Sequence, residues 1–255
     1  MTSEQNPSPA PWYESAFGED YLKIYGHRSP ELAAREARWL TTALGLSSKN
    51  LVLDAACGNG RHVAALQSLG IPTIGADLSK ELLSASRDLF GSLPLARHDV
   101  RALPFSKGTF SHIMLLFTSF GYFHSDQEHV AMLQEIRQAL SSGGTFVLDF
   151  LNAARTIESL APETTRTVGD LTIIERREYD KETGRINKTI KVASPGANGA
   201  ETARNYRESV RAYTEEELRG LLKVAGFRID ARHGDFDGAP YSASSPRLIM
   251  ISRAT

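Results

Sequence analysis

A chain of 255 residues with 41% hydrophobic residues carries enough apolar material for one α/β domain with an insertion, or for two small domains. Its 29 Lys+Arg balance 30 Asp+Glu, so no strong field steers it toward nucleic acid or an anionic membrane, although a local basic patch stays open. Cys57 is the only cysteine, which excludes an intramolecular disulfide and a cysteine-based zinc cage, and no run approaches the roughly 18 apolar residues of a membrane-spanning helix.

The opening MTSEQNPSPAP has neither the basic nor the apolar region of a signal peptide and reads as a disordered tail, so the protein is expected to be soluble and cytoplasmic. Phe17, Tyr21 and Tyr25 then recur four apart, the spacing of one helical face. They either pack on the core or join His27 and Arg28 in a lid over a ligand. Ser29-Pro30 is an N-cap followed by proline at the first helical position, which predicts a helix through Leu44.

Residues 51–61, LVLDAACGNGR, form the most informative stretch. An apolar strand ends in Asp54, the glycines Gly58 and Gly60 let the chain turn sharply, and a helix is predicted over 61–69, closed by Gly70. A strand–turn–helix unit presents backbone N–H groups and a positive helix end to a ligand. The acid at the strand end suits an ammonium or hydroxyl rather than a phosphate, which favours a zwitterionic or hydroxyl-bearing, nucleotide-like ligand.

A second strand ends at Asp77, with Ser79 capping a helix over 80–90. Residues 94–99 give a third, shorter strand ending at Asp99, and the apolar run Phe110–Phe117 predicts a central buried strand. Ser125 and Glu128 make a capping box for a helix over 126–140, Gly143-Gly144 are expected to end it, and 145–152 is the fifth strand. This β–α alternation means right-handed crossovers and a parallel sheet, whose ligands sit beyond the strand C-termini.

Residues 153–213 break the rhythm with period-two alternation around Lys181-Glu182-Thr183-Gly184, a hairpin, and a further strand over NYRESVRAY. An antiparallel insertion is expected, either a cap on the ligand side or a simple edge extension. Thr214 and Glu217 box the helix 215–224, Gly226 ends it, and two last strands are joined by DGAPYSASSP. The expected organisation is a tail and lid helices over 1–44, a ligand-binding core over 45–152, the insertion over 153–213, and completion of the core sheet by 214–255.

With Asp54, Asp77 and Asp99 at successive strand ends, the chain resembles a class I S-adenosylmethionine (SAM)-dependent methyltransferase over roughly residues 45–152, more weakly in the last two strands. Ala56 stands where that family usually places the first glycine of the turn. The resemblance implies a Rossmann-like, doubly wound, mostly parallel seven-stranded sheet with an antiparallel last strand, carrying the inserted antiparallel β cap. It implies SAM as cofactor, with Tyr25, Arg28, Asp54, Ala56, Cys57, Gly58, Gly60, Asp77, Leu78, Asp99, Val100 and Phe117 in its site. Asp77 would take the ribose hydroxyls, while Asp99 and the Val100 N–H would meet the adenine.

On the acceptor side, Phe120 and Tyr122 lie in the segment after the fourth strand, where that family carries substrate-facing residues. Tyr241, Ser244 and Arg247 come from the loop before the last strand, where Arg247 suits a carboxylate. His27, His124 and Tyr25 are the candidate bases, and no cluster has metal-ligand spacing. Direct transfer to a nitrogen or oxygen of a small molecule is the expected function. Arg204, Arg207 and Arg211 keep a tRNA wobble-base or other RNA methyltransferase as the alternative, alongside a SAM-binding protein without catalysis. A dinucleotide dehydrogenase is disfavoured, because position 63 is valine where the third glycine of its turn would stand.

Overall fold

The computed structural model describes residues 11–18, 20–26, 28–195 and 201–255. His27 lies outside them. Val52–Ala55 (β1) is buried at all four positions because it runs at the centre of a sheet covered on both faces. Around it stand Thr73–Asp77 (β2), Leu95–Arg97 (β3), Phe110–Leu115 (β4), Leu140–Leu151 (β5), Phe227–His233 (β10) and Arg247–Ala254 (β11). The order is β3-β2-β1-β4-β5-β11-β10, with β11 antiparallel to both of its neighbours and the other pairs parallel.

Alternation along the strands divides the core in two. Leu53, Ile113, Leu115, Phe146 and Leu148 join Met132, Leu133 and Ile136 of the helix Asp126–Ala139 (α6) and Leu218 and Leu222 of Glu215–Val224 (α8). Val52, Met114 and Val147 face the other way, onto Ala33, Ala37 and Leu40 of Pro30–Leu44 (α3) and Ala65 and Leu66 of Arg61–Ser68 (α4). Local signals place the helix starts as expected: Ser29 and Ser79 accept from Leu32 and Leu82, and both capping boxes are complete. Lys80–Phe90 (α5) follows Ser79.

Three details depart from the sequence expectation. Helix α6 ends before Leu140 rather than at Gly143-Gly144, because Leu140 already pairs with Phe110 and is buried. The N-terminal segment forms two short helices, Trp12–Ser15 (α1) and Tyr21–Ile24 (α2), instead of one long helical face, yet Phe17 still meets Tyr21 edge-on at 5.2 Å and Tyr21 meets Tyr25 at a tilt at 4.7 Å between ring centroids. The insertion, after the short helix Ala153–Glu158 (α7), has four strands: Glu163–Val168 (β6), Leu171–Asp180 (β7), Arg185–Pro195 (β8) and Glu201–Arg211 (β9), in that order. Strand β6 is an exposed polar edge, so no apolar period announced it.

This second sheet grips the N-terminal segment. Ile24 packs on Ile173, Ile190 and Val192, Asp20 accepts from Tyr206 and pairs with Arg204, and Arg166 donates to the Ile24 carbonyl. The expected arginine strip is not continuous: Arg204 is spent on Asp20 and Arg211 pairs with Glu217 at 2.6 Å. Arg204 and Arg207 stand three apart on one strand and so face opposite ways. No helix among the described residues is long and apolar enough to cross a membrane.

Candidate functional site

The parallel register sets Ala55, Ala76 and Leu115 side by side, so β1, β2 and β4 end together where the strand order reverses. A cleft opens there, of about 1210 Å³ with its mouth included. Its walls include Asp54, Ala56, Cys57, Gly58, Asp77, Leu78, Asp99, Val100 and Phe117 from the sheet's end, and Tyr25 and Arg28 from the N-terminal segment. Eleven of the twelve expected cofactor residues therefore share one cavity. Gly60, the twelfth, is the left-handed N-cap of α4 (φ 76°), packed so closely that a Cβ would come within 3.1 Å of Leu93.

Asp54 is 1% exposed, and its Oδ2 has no hydrogen-bond partner among the described residues. Burial raises its pKa to about 7, with Arg61 opposing the rise and Asp77 adding to it. A buried carboxylate oxygen left open costs free energy unless a ligand donor meets it. Asp77 braces the turn instead: Oδ2 accepts the Gly58 N–H at 2.7 Å and Oδ1 the Ser79 N–H at 2.8 Å. Each carboxylate oxygen keeps a second lone pair for a ligand hydroxyl. Asp99 stands at the rim in a two-pronged pair with Arg101, Nη2 to Oδ2 at 2.6 Å and Nε to Oδ1 at 3.0 Å. Burial pushes Asp99 upward, but the Arg101 guanidinium and N–H hold it below the usual carboxylate range. The open Asp54 oxygen, the glycine turn and the half-buried Asp77 suit the ammonium and diol of SAM.

Phe117 lines the cleft just beyond the end of β4. It and Thr118 both adopt left-handed backbone, φ 55° and 63°, which costs roughly 1–2 kcal/mol per non-glycine residue. Asp149 on β5 holds the strained pair, its Oδ2 accepting the Phe117 N–H at 2.8 Å and its carbonyl the Thr118 N–H at 3.0 Å. The guanidiniums of Arg61, Arg247 and Arg28 lie 4.1, 5.0 and 5.4 Å from the Phe117 ring centre. His62 stacks on the same ring at 5.4 Å, and its Nε2 lies 2.7 Å from Glu36 Oε2.

Burial lowers the His62 pKa from 6.5 to about 4, against the hydrogen bond to Glu36. The unfolded chain therefore takes up that proton first, so stability is complete above pH 6.5 and falls as pH drops toward 4. The His62→Gln variant should lack roughly 2 kcal/mol of the wild-type loss between pH 7 and 5, as read by urea unfolding at each pH. Parallel stability curves would show that His62 does not titrate between the two states.

A second cleft abuts the first. Phe17, Tyr21, Tyr25, Arg28, Phe117 and Tyr122 belong to both, and its far wall is the inserted sheet, with Arg177, Lys188, Glu208 and Val210. The Tyr25 hydroxyl donates to Glu208 Oε1 at 2.6 Å and accepts from Lys188 Nζ at 2.6 Å. Lys188 in turn pairs with the buried Glu175 at 2.7 Å, which also holds Arg177 at 2.8 Å and Arg166 at 3.2 Å. Burial, reinforced by Glu208, pushes the Tyr25 pKa far up, so Tyr25 is a hydrogen-bond donor here and unsuited to be a base.

Other expected site residues lie elsewhere. Phe120 is 1% exposed and packs on His129, Phe150 and Tyr213 inside the core, because its side chain turns away from the strand end. Its neighbour Tyr122 does reach the clefts. His124 is exposed beside the α6 cap, its N–H donating to Glu128. Tyr241 reaches Asn152 at 3.4 Å, and Arg247 is committed to the fully buried Asp149, with Thr118 Oγ1 at 3.3 Å. Glu208, Lys188, Arg177 and Asp149 were not singled out from the sequence. The period-two pattern puts Glu208 on one face of β9 with Arg204 and Tyr206, but nothing in it says that this face meets the core.

Residues 52–144 match the family model described as "Methyltransferase domain". The chain is 25% identical over 244 residues to the cypemycin N-terminal methyltransferase of Streptomyces sp, spanning 93% of this chain and 97% of that protein. Its fold is similar to a crystal structure of an S-adenosylmethionine-dependent methyltransferase from Clostridium acetobutylicum ATCC 824, with TM-score 0.78, 17% identity and coverage of 92% and 99% of the two chains. The CcbJ methyltransferase from Streptomyces caelestis is likewise similar, with TM-score 0.77, 23% identity and coverage of 95% and 99%.

Proposed function

We propose that this chain, a class I SAM-dependent methyltransferase whose residues 52–144 match a methyltransferase domain model, methylates a nitrogen of a small-molecule amine seated in the second cleft. The observation that carries this reading is the Tyr25–Glu208 hydrogen bond, which sets a carboxylate one residue away from the wall shared by the two clefts. SAM, when bound, would supply a methyl group on a sulfonium, which an amine lone pair can take by forming an N–C bond as the C–S bond breaks and the thioether leaves with its electron pair.

The chain's own work is positioning and proton removal. Asp54 and the N–H groups opening α4 would hold the amino-acid end of the cofactor, Arg28 its carboxylate, Asp77 its ribose, and Asp99 with Val100 its adenine. An amine enters the second cleft as an ammonium, which has no lone pair to offer. Glu208 receives it, takes one N–H proton and passes it to water at the open mouth, while Tyr25 keeps the carboxylate in place. Phe17, Tyr21, Tyr122 and Phe117 surround the path with ring faces that favour cationic groups. The similarity to a relative named for N-terminal methylation supports the same acceptor class.

The test is release of S-adenosylhomocysteine across a panel of small amines and matched alcohols. Amines should be turned over and alcohols should not. Glu208→Gln should lower kcat on the best amine by about 100-fold, the low end of what a positioned acid or base contributes, with SAM affinity unchanged. A panel in which only alcohols react, or a Glu208→Gln enzyme at full rate, would remove this reading.

A further inference from the structure

The wall of the second cleft also specifies what else the acceptor carries. Arg177, Lys188 and Glu208 are direct Cα partners across β7, β8 and β9, so their side chains form one row on the face that lines the cleft. Strands lie about 4.8 Å apart, which places the Arg177 and Glu208 backbones roughly 10 Å from each other. The row reads cation, cation, carboxylate, and its two ends differ in what they leave open.

At the Glu208 end, Oε1 takes the Tyr25 hydroxyl and Oε2 is 3.6 Å from Lys188, which leaves acceptor capacity for an ammonium. At the other end, Arg177 uses Nη2 on Glu175 and Nη1 on Thr164 Oγ1, at 2.8 and 3.0 Å. A guanidinium has five N–H donors, so several remain for an anion. The charges around the row do not cancel. Among the described residues paired along this row, Arg166, Arg177 and Lys188 meet Glu175 and Glu208, an excess of one positive charge, and Arg28 lines the same cleft. Thr156 borders the same cleft.

We infer that the acceptor is a bifunctional molecule, an amine that Glu208 holds beside the cofactor cleft and an anionic group, carboxylate or phosphate, that Arg177 holds at the far end. This rests on the amine reading above and goes further, since a plain amine would leave unused the donors that Arg177 does not spend on Glu175 and Thr164, together with the excess charge of the row.

Calorimetry on the full chain saturated with S-adenosylhomocysteine tests it, with 5-aminopentanoate, 3-aminopropyl phosphate and pentylamine as probes. Both anionic probes should bind about tenfold more tightly than pentylamine, and the tighter of the two identifies carboxylate or phosphate as the preferred group. Arg177→Gln should erase that preference and leave pentylamine binding unchanged, while Arg177→Lys should restore part of it. Unchanged affinity for S-adenosylhomocysteine in both variants reports that the fold and first cleft are intact. Equal binding of the three probes, no binding of any, or a preference that survives Arg177→Gln would overturn the inference. Replacing the amine separates the two readings: 5-hydroxypentanoate binding as well as 5-aminopentanoate, with its affinity still dependent on Arg177, would sink the amine assignment and leave the anion site standing.

Discussion

Replacing Arg247 by methionine should lower the unfolding free energy by about 3–5 kcal/mol, because it strands the carboxylate of the fully buried Asp149. Asp149 also holds the left-handed backbone of Phe117 and Thr118, so the loss reaches the floor between the two clefts. Burial raises the Asp149 pKa even with Arg247 beside it, and removing the cation raises it further. A carboxyl with a raised folded pKa favours the folded state below the unfolded pKa and loses that advantage as pH rises. The penalty of Arg247→Met should therefore be smaller at pH 4.5 than at pH 8 in urea titrations. The double variant with Asp149→Asn should recover part of the stability. A penalty below about 1 kcal/mol, independent of pH, would show that the pair is dispensable.

Asp77→Ala should weaken SAM binding about 100-fold and destabilise the protein by about 3 kcal/mol, since two hydrogen bonds to a charged acceptor are lost. The acceptor is shared by the Gly58 N–H of the turn and the Ser79 N–H that opens α5, so the variant loosens both sides of the cleft at once. Calorimetry gives the affinity and chemical denaturation the stability. Losing the stability with SAM affinity intact would mean that Asp77 serves the turn alone and does not touch the ribose.

The two largest effects expected from single side chains thus come from one acid that strand-end spacing identified and one arginine whose partner it did not. Asp54, Asp77 and Asp99 were legible because a parallel strand followed by a tight turn fixes where its last residue lies, whatever the rest of the chain does. Helix starts were legible for the same reason: Ser29, Ser79, Ser125 and Thr214 cap through bonds only three residues long. Arg247 was read as a substrate contact from its place before the last strand. Its partner Asp149 is 98 residues away in sequence, and only the antiparallel pairing of β11 with β5 brings them together. Strand β6 stayed hidden because a solvated edge need not alternate.

By itself the amino-acid sequence determined the cofactor half of this protein: alternating strands and helices, a glycine turn and three acids at strand ends, all set by local propensity and short-range spacing. The tertiary structure alone assembled the second cleft, the proposed acceptor site. There Tyr25, Phe117 and Glu208 come from three distant segments and meet because the inserted sheet folds back over the N-terminal helices. Contacts between segments so far apart in sequence depend on how sheets pack, and no period or motif within any one of them encodes that.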